Sequence, residues 1–171
     1  NEWGNIRSVN FLLDNYTKSP ELDKAEKYVG EARFFRAFFY FEQFLKKFGG
    51  VPWIDTQLTM TSDELTAPRL KRNELANKII ADLDWAIEKI PSFNEQESGR
   101  ISKEVAVLYK ARVALYEATW EKYHAGTVFA GEGNPNEYYK IARDAANSVM
   151  SSGLFSLDNV GVKDGYHILF N

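Results

Sequence analysis

Gly30 to Pro52 reads GEARFFRAFFYFEQFLKKFGGVP, and this stretch decides the fold. It holds seven of the chain's twelve phenylalanines: Phe34, Phe35, Phe38, Phe39, Phe41, Phe44 and Phe48. At about 100° per residue, Phe34, Phe38, Phe41, Leu45 and Phe48 form one stripe, with Ala37 and Phe44 at its edge. Phe35 and Phe39 carry apolar surface well round from that stripe. The apolar arc thus exceeds half the circumference, more than a helix packed on one side requires. Burying each phenylalanine contributes roughly 1.5–3 kcal/mol, so neighbours are expected to clasp this helix on two sides. Gly49-Gly50 supplies a left-handed cap and Pro52 forbids resumption. Arg33 and Arg36, with Glu31, fall on the polar side, where exposed pairs contribute under about 1 kcal/mol.

Upstream, Ile6, Val9, Leu12 or Leu13, and Tyr16 give a short helical stripe. Ser19 then reads as an N-cap with Pro20 at the first helical position. Leu22, Ala25, Val29 and Ala32 lead straight into the phenylalanine run, which predicts one helix from Pro20 to Phe48. Gly30 inside it costs about 1 kcal/mol, so a packing reason is expected there.

Downstream, residues 49–72 show neither helical nor strand period, and so long a connection is usually functional or packed on its own scaffold. Asn73 reads as the N-cap of a helix with Leu75, Ile79, Leu83, Ile87 and Ile90 inward, stopped by Pro91. A helix from Ser102 follows, carrying Ser102, Val105, Ala106, Leu108, Tyr109, Val113, Leu115, Tyr116 and Trp120. Ala106, Ala111, Ala114 and Ala118 interleave and allow close approach of neighbours. After a Gly-rich loop, Asn134-Pro135 opens a last helix with Tyr138, Ile141, Ala142, Ala145, Val149 and Met150 inward, ending at Gly153. The segments 102–123 and 136–151 pair in the manner of a tetratricopeptide repeat, although the 34-residue period is not clean. No stretch alternates long enough for a sheet, so the fold is all-α, with long irregular loops.

The 171 residues suit one helical domain, and 44% hydrophobic content is enough for its core. A net charge of −3 with no basic stripe argues against a nucleic-acid partner. Without cysteine there is neither a disulfide framework nor a thiolate metal site. His124 and His167 lack a second ligand at helical spacing, so no metal site is expected. Ala130-Gly131-Glu132-Gly133-Asn134 lacks the Lys-Ser/Thr of a phosphate-binding loop, and no cofactor is implied. No apolar run in these residues reaches the roughly 18–20 that cross a bilayer. The patterning at both ends, Tyr166-His167-Ile168-Leu169-Phe170 included, reads as cut from something longer.

Four stretches together resemble the SusD/RagB-type family of nutrient-binding outer-membrane lipoproteins. They are Gly30 to Ala37 continuing to Phe48-Gly49-Gly50-Val51-Pro52, and Ile79 to Ala86 stopped by Pro91. The others are Gly99-Arg100-Ile101-Ser102-Lys103 leading into Ala106 to Tyr116, and Tyr139-x-x-Ala142-x-x-Ala145-Ala146 through Gly153 to Leu157. The resemblance implies tetratricopeptide-like helix pairs with an irregular ligand-facing half. It implies a non-enzymatic surface protein that binds a glycan or other nutrient and sits over a TonB-dependent transporter. It places a signal peptide and a lipid-modified cysteine upstream of Asn1, and a further C-terminal half downstream. Residues 1–171 would then be the N-terminal helical part.

Sugar recognition sets aromatic faces against C–H surfaces and flanks them with amide or charged groups. Trp3, with Asn5 and Arg7, has that composition, and the resemblance also implies an aromatic ligand contact at the entry to this helix. Trp120 and Tyr123 form a second candidate platform beside His124. Trp53 is expected to pack on the phenylalanine helix, and Trp85 to be a half-buried partner of the helix after its own. Two other classes explain parts of the pattern: a tetratricopeptide-type adaptor, and a helical glycosidase with a pair of carboxylates.

Overall fold

The computed structural model describes residues 2–156, leaving His167 and the Tyr166–Phe170 run outside the described residues. Among the described residues the regular structure is helical: α1 (Glu2–Asn15), α2 (Leu22–Phe39), α3 (Lys46–Phe48), α4 (Arg72–Lys89), α5 (Lys103–Tyr123) and α6 (Pro135–Met150). A π-helical segment, Tyr40–Leu45, joins α2 to α3, so the backbone is helical without a break from Leu22 to Phe48. α1 packs on α2, α2 on α4, α4 on α5, and α5 on α6. This stack of helix pairs in chain order is the tetratricopeptide-like arrangement expected.

The α2–α3 helix is the spine. Phe34, Ala37, Tyr40, Phe41, Phe44 and Leu45 are buried, with Phe38 and Phe39 packed at the margin. Tyr109 of α5 meets Phe34, Phe38 and Phe41, while α1 and α4 supply other walls. Gly30 has its packing reason: a Cβ there would lie 2.9 Å from Ile90 Cγ1. Phe48, however, is exposed. The wide π turn inserts one extra residue and rotates the next turn of helix by about 100°, taking Phe48 off the stripe.

Gly49 ends the helix with φ of +70°. Gly50 passes so close to Leu70 that a Cβ would fall 1.8 Å from its carbonyl oxygen. Arg69 donates to the Gly50 and Phe48 carbonyls, and Arg72 Nη1 donates to Leu45 O at 3.1 Å. The connection after Gly50 thus folds back to cap the helix it left, using guanidinium donors for the orphan carbonyls.

Several element-level expectations shift. α2 starts at Leu22 rather than Pro20, and the Ser19 hydroxyl accepts from the Glu21 N–H at 3.3 Å instead of capping the helix. α4 starts at Arg72, not after Asn73; the Glu74 carboxylate accepts from the Lys71 N–H at 2.9 Å and turns the chain into the helix. Tyr16 belongs to a 3₁₀ turn after α1, and Leu13 rather than Leu12 is half-buried. Val105, Leu108, Leu115 and Met150 face outward. The buried faces of α5 are lined by Ala106, Val107, Val113, Ala114 and Ala118, because small residues let α4 and α6 approach while large ones are left outside. Trp85 covers the Arg33 guanidinium at 4.6 Å, on the preceding long helix rather than the following one.

Candidate ligand groove

Helix periodicity divides the residues of α1 between two faces. Residues four apart share a face, whereas two apart point nearly opposite ways. Trp3, Ile6, Arg7 and Asn10 accordingly line a groove of about 750 Å³ against Pro52, Ile54, Thr56, Leu58, Thr59, Met60, Glu64 and Leu65. Asn5 lines a separate depression of about 490 Å³ with Val9, Leu12, Tyr28 and Phe35. Of the three α1 candidates, the fold therefore brings Trp3 and Arg7 together and sends Asn5 to the other side.

Trp3 rests on Phe44, ring centroids 4.4 Å apart, and meets Tyr40 edge-on at 6.3 Å. It remains 40% exposed, which leaves indole surface facing the groove. Among the described lining residues, Arg7 and Glu64 are the charged ones. Thr56 and Thr59 add hydroxyls, and Met60 stands almost fully exposed at the rim. An aromatic surface with scattered polar groups around an open apolar floor suits an amphipathic ligand.

The far wall is held by buried side chains. Asn10 Nδ2 donates to Ile54 O at 2.9 Å and to Thr56 O at 3.1 Å, while its Oδ1 accepts from Arg36 Nη1 at 3.0 Å. Arg36 is not on a polar surface as expected: it is 3% exposed and clasps Asp82 of α4 through Nε–Oδ2 at 2.6 Å and Nη2–Oδ1 at 2.8 Å. Arg33 adds a third N–H to Asp82 at 2.9 Å. The Ile54 N–H donates to the Tyr40 hydroxyl at 2.7 Å, and Trp53 stacks on the Tyr40 ring at 4.3 Å, as its expected packing on the phenylalanine helix requires. Burial raises the Tyr40 hydroxyl well above the ordinary tyrosine range, so it stays a neutral acceptor and donor.

Trp120 and Tyr123 lie at the C-terminal end of α5, away from this groove's lining. His124 stacks on Trp120 at 3.9 Å, and the Arg72 guanidinium also lies 3.9 Å from the ring. Two groups that near one centroid cannot share a face, so both indole faces are covered by protein. Trp120 Nε1 donates to Phe129 O, and Tyr123 is 70% exposed. Beneath them Glu117 of α5, fully buried, meets Arg72 Nη2 at 3.0 Å without hydrogen-bond geometry. Burial pushes the Glu117 carboxyl up to about 7, opposed by Arg72 and reinforced by Glu121.

Asn10 and Asp82, which anchor the groove wall, and Glu117, the buried carboxylate under Trp120, were missed in the sequence. Each stands in the phase of an apolar stripe: Ile6-Asn10-Leu13, Ile79-Asp82-Leu83-Ala86 and Val113-Glu117-Ala118. A polar residue at a core position of a helical period was the available signal.

A family described as starch-binding and associating with the outer membrane, the SusD-like family, has a model that matches residues 2–115. A SusD-like protein of Formosa agariphila is 26% identical over 152 residues, covering 89% of this chain and 25% of that protein. A SusD-like protein of Bacteroides fragilis has a solved structure that superposes with a TM-score of 0.71 at 28% identity, over 90% of this chain and 26% of the other. A laminarin-binding SusD-like protein shares the fold at 21% identity and a TM-score of 0.70, over 92% of this chain and 32% of its own. The chain spans about a quarter of the length of the first two.

Proposed function

This chain belongs to the SusD-like family, and on that premise we propose that its α1-side groove captures a segment of a glycan chain. The observation that carries the reading is the half-exposed Trp3 ring, held on Phe44 beside Arg7 over an open groove of about 750 Å³. A pyranose ring placed on that indole would meet Arg7, Thr56, Thr59 and Glu64 with its hydroxyls. Asn10 also lines the groove, but its amide is committed to protein partners. The action is binding and release, with no bond made or broken.

In the whole protein, this segment serves nutrient capture at the cell surface, under a lipid anchor, with delivery to a TonB-dependent transporter. The family's description as starch-binding and outer-membrane-associated supports the carbohydrate ligand and the membrane association in that assignment. The laminarin-binding relative supports a β-glucan as well as an α-glucan among the ligands to try.

The test is calorimetric titration of the chain with laminarin-derived and starch-derived oligosaccharides, beside a Trp3→Ala variant. Binding by the unaltered chain and a loss of about tenfold or more in the variant are expected. Equal affinities would remove Trp3 from the site. Release of new reducing ends would point to hydrolysis and against a binding role.

A further inference from the structure

The segment Ile54–Gln57 forms the groove's far wall, and it has an unusual set of backbone partners. Ile54 is buried and the three residues after it are exposed, yet backbone groups along the whole segment find protein partners rather than being left to water. Here the partners are side chains of α1 and of the long helix: Tyr40 for the Ile54 N–H, Asn10 for the Ile54 and Thr56 carbonyls, Arg36 for the Asp55 carbonyl at 3.3 Å, and Asp14 for the Gln57 N–H at 2.7 Å. Asn10 is the junction. It is 0% exposed, so no ligand reaches it, yet it bridges the wall to Arg36 and through Arg36 to Asp82.

Resting on the reading of this groove as the ligand site, we infer that Asn10, with Arg36 and Tyr40, is a positioning residue that sets the groove's width. Three of the side chains that hold the wall, Asn10, Arg36 and Tyr40, are buried in the helix core, so the wall keeps one shape before ligand arrives. Fixing Ile54–Gln57 holds Thr56 and the start of the Leu58–Leu65 rim opposite Trp3. Affinity for a glycan then depends on residues that do not touch it.

Asn10→Asp separates this role from general stability. The carboxylate keeps an acceptor for Arg36 but loses both N–H donors and sets negative charge against the Ile54 and Thr56 carbonyls. Tyr40→Phe is the second variant; it removes the acceptor for the Ile54 N–H together with the hydroxyl's donation to the Pro52 and Ile54 carbonyls, and leaves Asn10 and Arg36 in place. Site-resolved amide hydrogen exchange on the full chain is the readout, with laminarin-oligosaccharide titration of the same samples. In Asn10→Asp, exchange at Ile54 and Gln57 is expected to quicken by about tenfold or more, and in Tyr40→Phe at Ile54 alone. Amides in the middle of α2 and α4 keep their protection in both. Oligosaccharide affinity falls in parallel.

Unchanged exchange at Ile54 and Gln57 in Asn10→Asp would overturn the inference. So would equal acceleration in α2 and α4, since that marks a general core residue. If the unaltered chain bound no oligosaccharide, the glycan reading would fail, while the exchange data would still decide whether Asn10 sets the wall.

Discussion

Two buried arginine–carboxylate pairs cross from one helix to the next, and they differ in every respect except burial. Asp82 receives N–H groups from Arg36 Nε, Arg36 Nη2 and Arg33 Nη1, and the last nitrogen of Arg36 serves Asn10 and the Asp55 carbonyl. Glu117 has one contact, with Arg72, and neither of its oxygens accepts a well-formed hydrogen bond. Removing a charge from water costs several kcal/mol, and only good geometry with further hydrogen bonds repays it. The first pair meets that condition and the second does not. The satisfied pair is the one wired to the groove wall; the unsatisfied pair sits under Trp120, remote from that wall.

The largest expected effect breaks the satisfied pair. Arg36→Ala leaves Asp82 buried with only Arg33, and a loss of about 3–5 kcal/mol in urea denaturation is expected. A loss below about 1 kcal/mol would show that the two pairs are energetically alike. The next effect sharpens the other side. Unfolded, Glu117 ionises near its ordinary 4.5; folded, near 7. Below the lower value it is protonated in both states and costs nothing. As pH rises between the two, the unfolded state gives up its proton first and the native state loses stability, fully so above pH 7. Glu117→Gln removes this penalty. Relative to the unaltered chain, the variant should gain about 2–3 kcal/mol between pH 5 and pH 8. A pH-independent difference would mean that Glu117 is satisfied after all. The smallest effect comes from an exposed pair of similar length. Lys27 meets Glu97 at 2.8 Å on the surface, and Lys27→Ala should leave the denaturation midpoint unmoved. A clear shift there would undo the distinction between buried and solvated pairs.

Much of the fold was legible because it follows from local rules. The breadth of the phenylalanine arc required neighbours on two sides, and α1, α4 and α5 provide them. Gly30 announced a close approach, which Ile90 makes. Asn134 caps α6, its Oδ1 accepting from the Asn136 N–H, with Pro135 next, as that dipeptide suggests. Legibility stopped where one long-range event redirected a local pattern. The π segment turned Phe48 outward, and no residue type marks where a helix takes that extra residue. On α5 the bulky aliphatics looked like core, yet the alanines between them are what α4 and α6 pack against.

The groove was half legible. Trp3 and Arg7, four residues apart on one helix, share its lining as their spacing allows, and Asn5 by the same arithmetic belongs elsewhere. The opposite wall comes from a distant segment, Pro52 to Leu65, with neither period nor motif.

By itself the sequence determined the helical class, the helix order and the aromatic spine, because these depend on spacing along the chain, and its four matching stretches carried the resemblance to the family. Only the tertiary structure decided that Arg36 is buried, that Asn10 faces the 54–57 backbone, and that Trp3 fronts an open groove while Trp120 is covered on both faces. The physical reason is desolvation: a charged or polar side chain can enter a core when partners from other elements meet it there. Where those partners stand is a property of packing, which spacing along one helix does not contain.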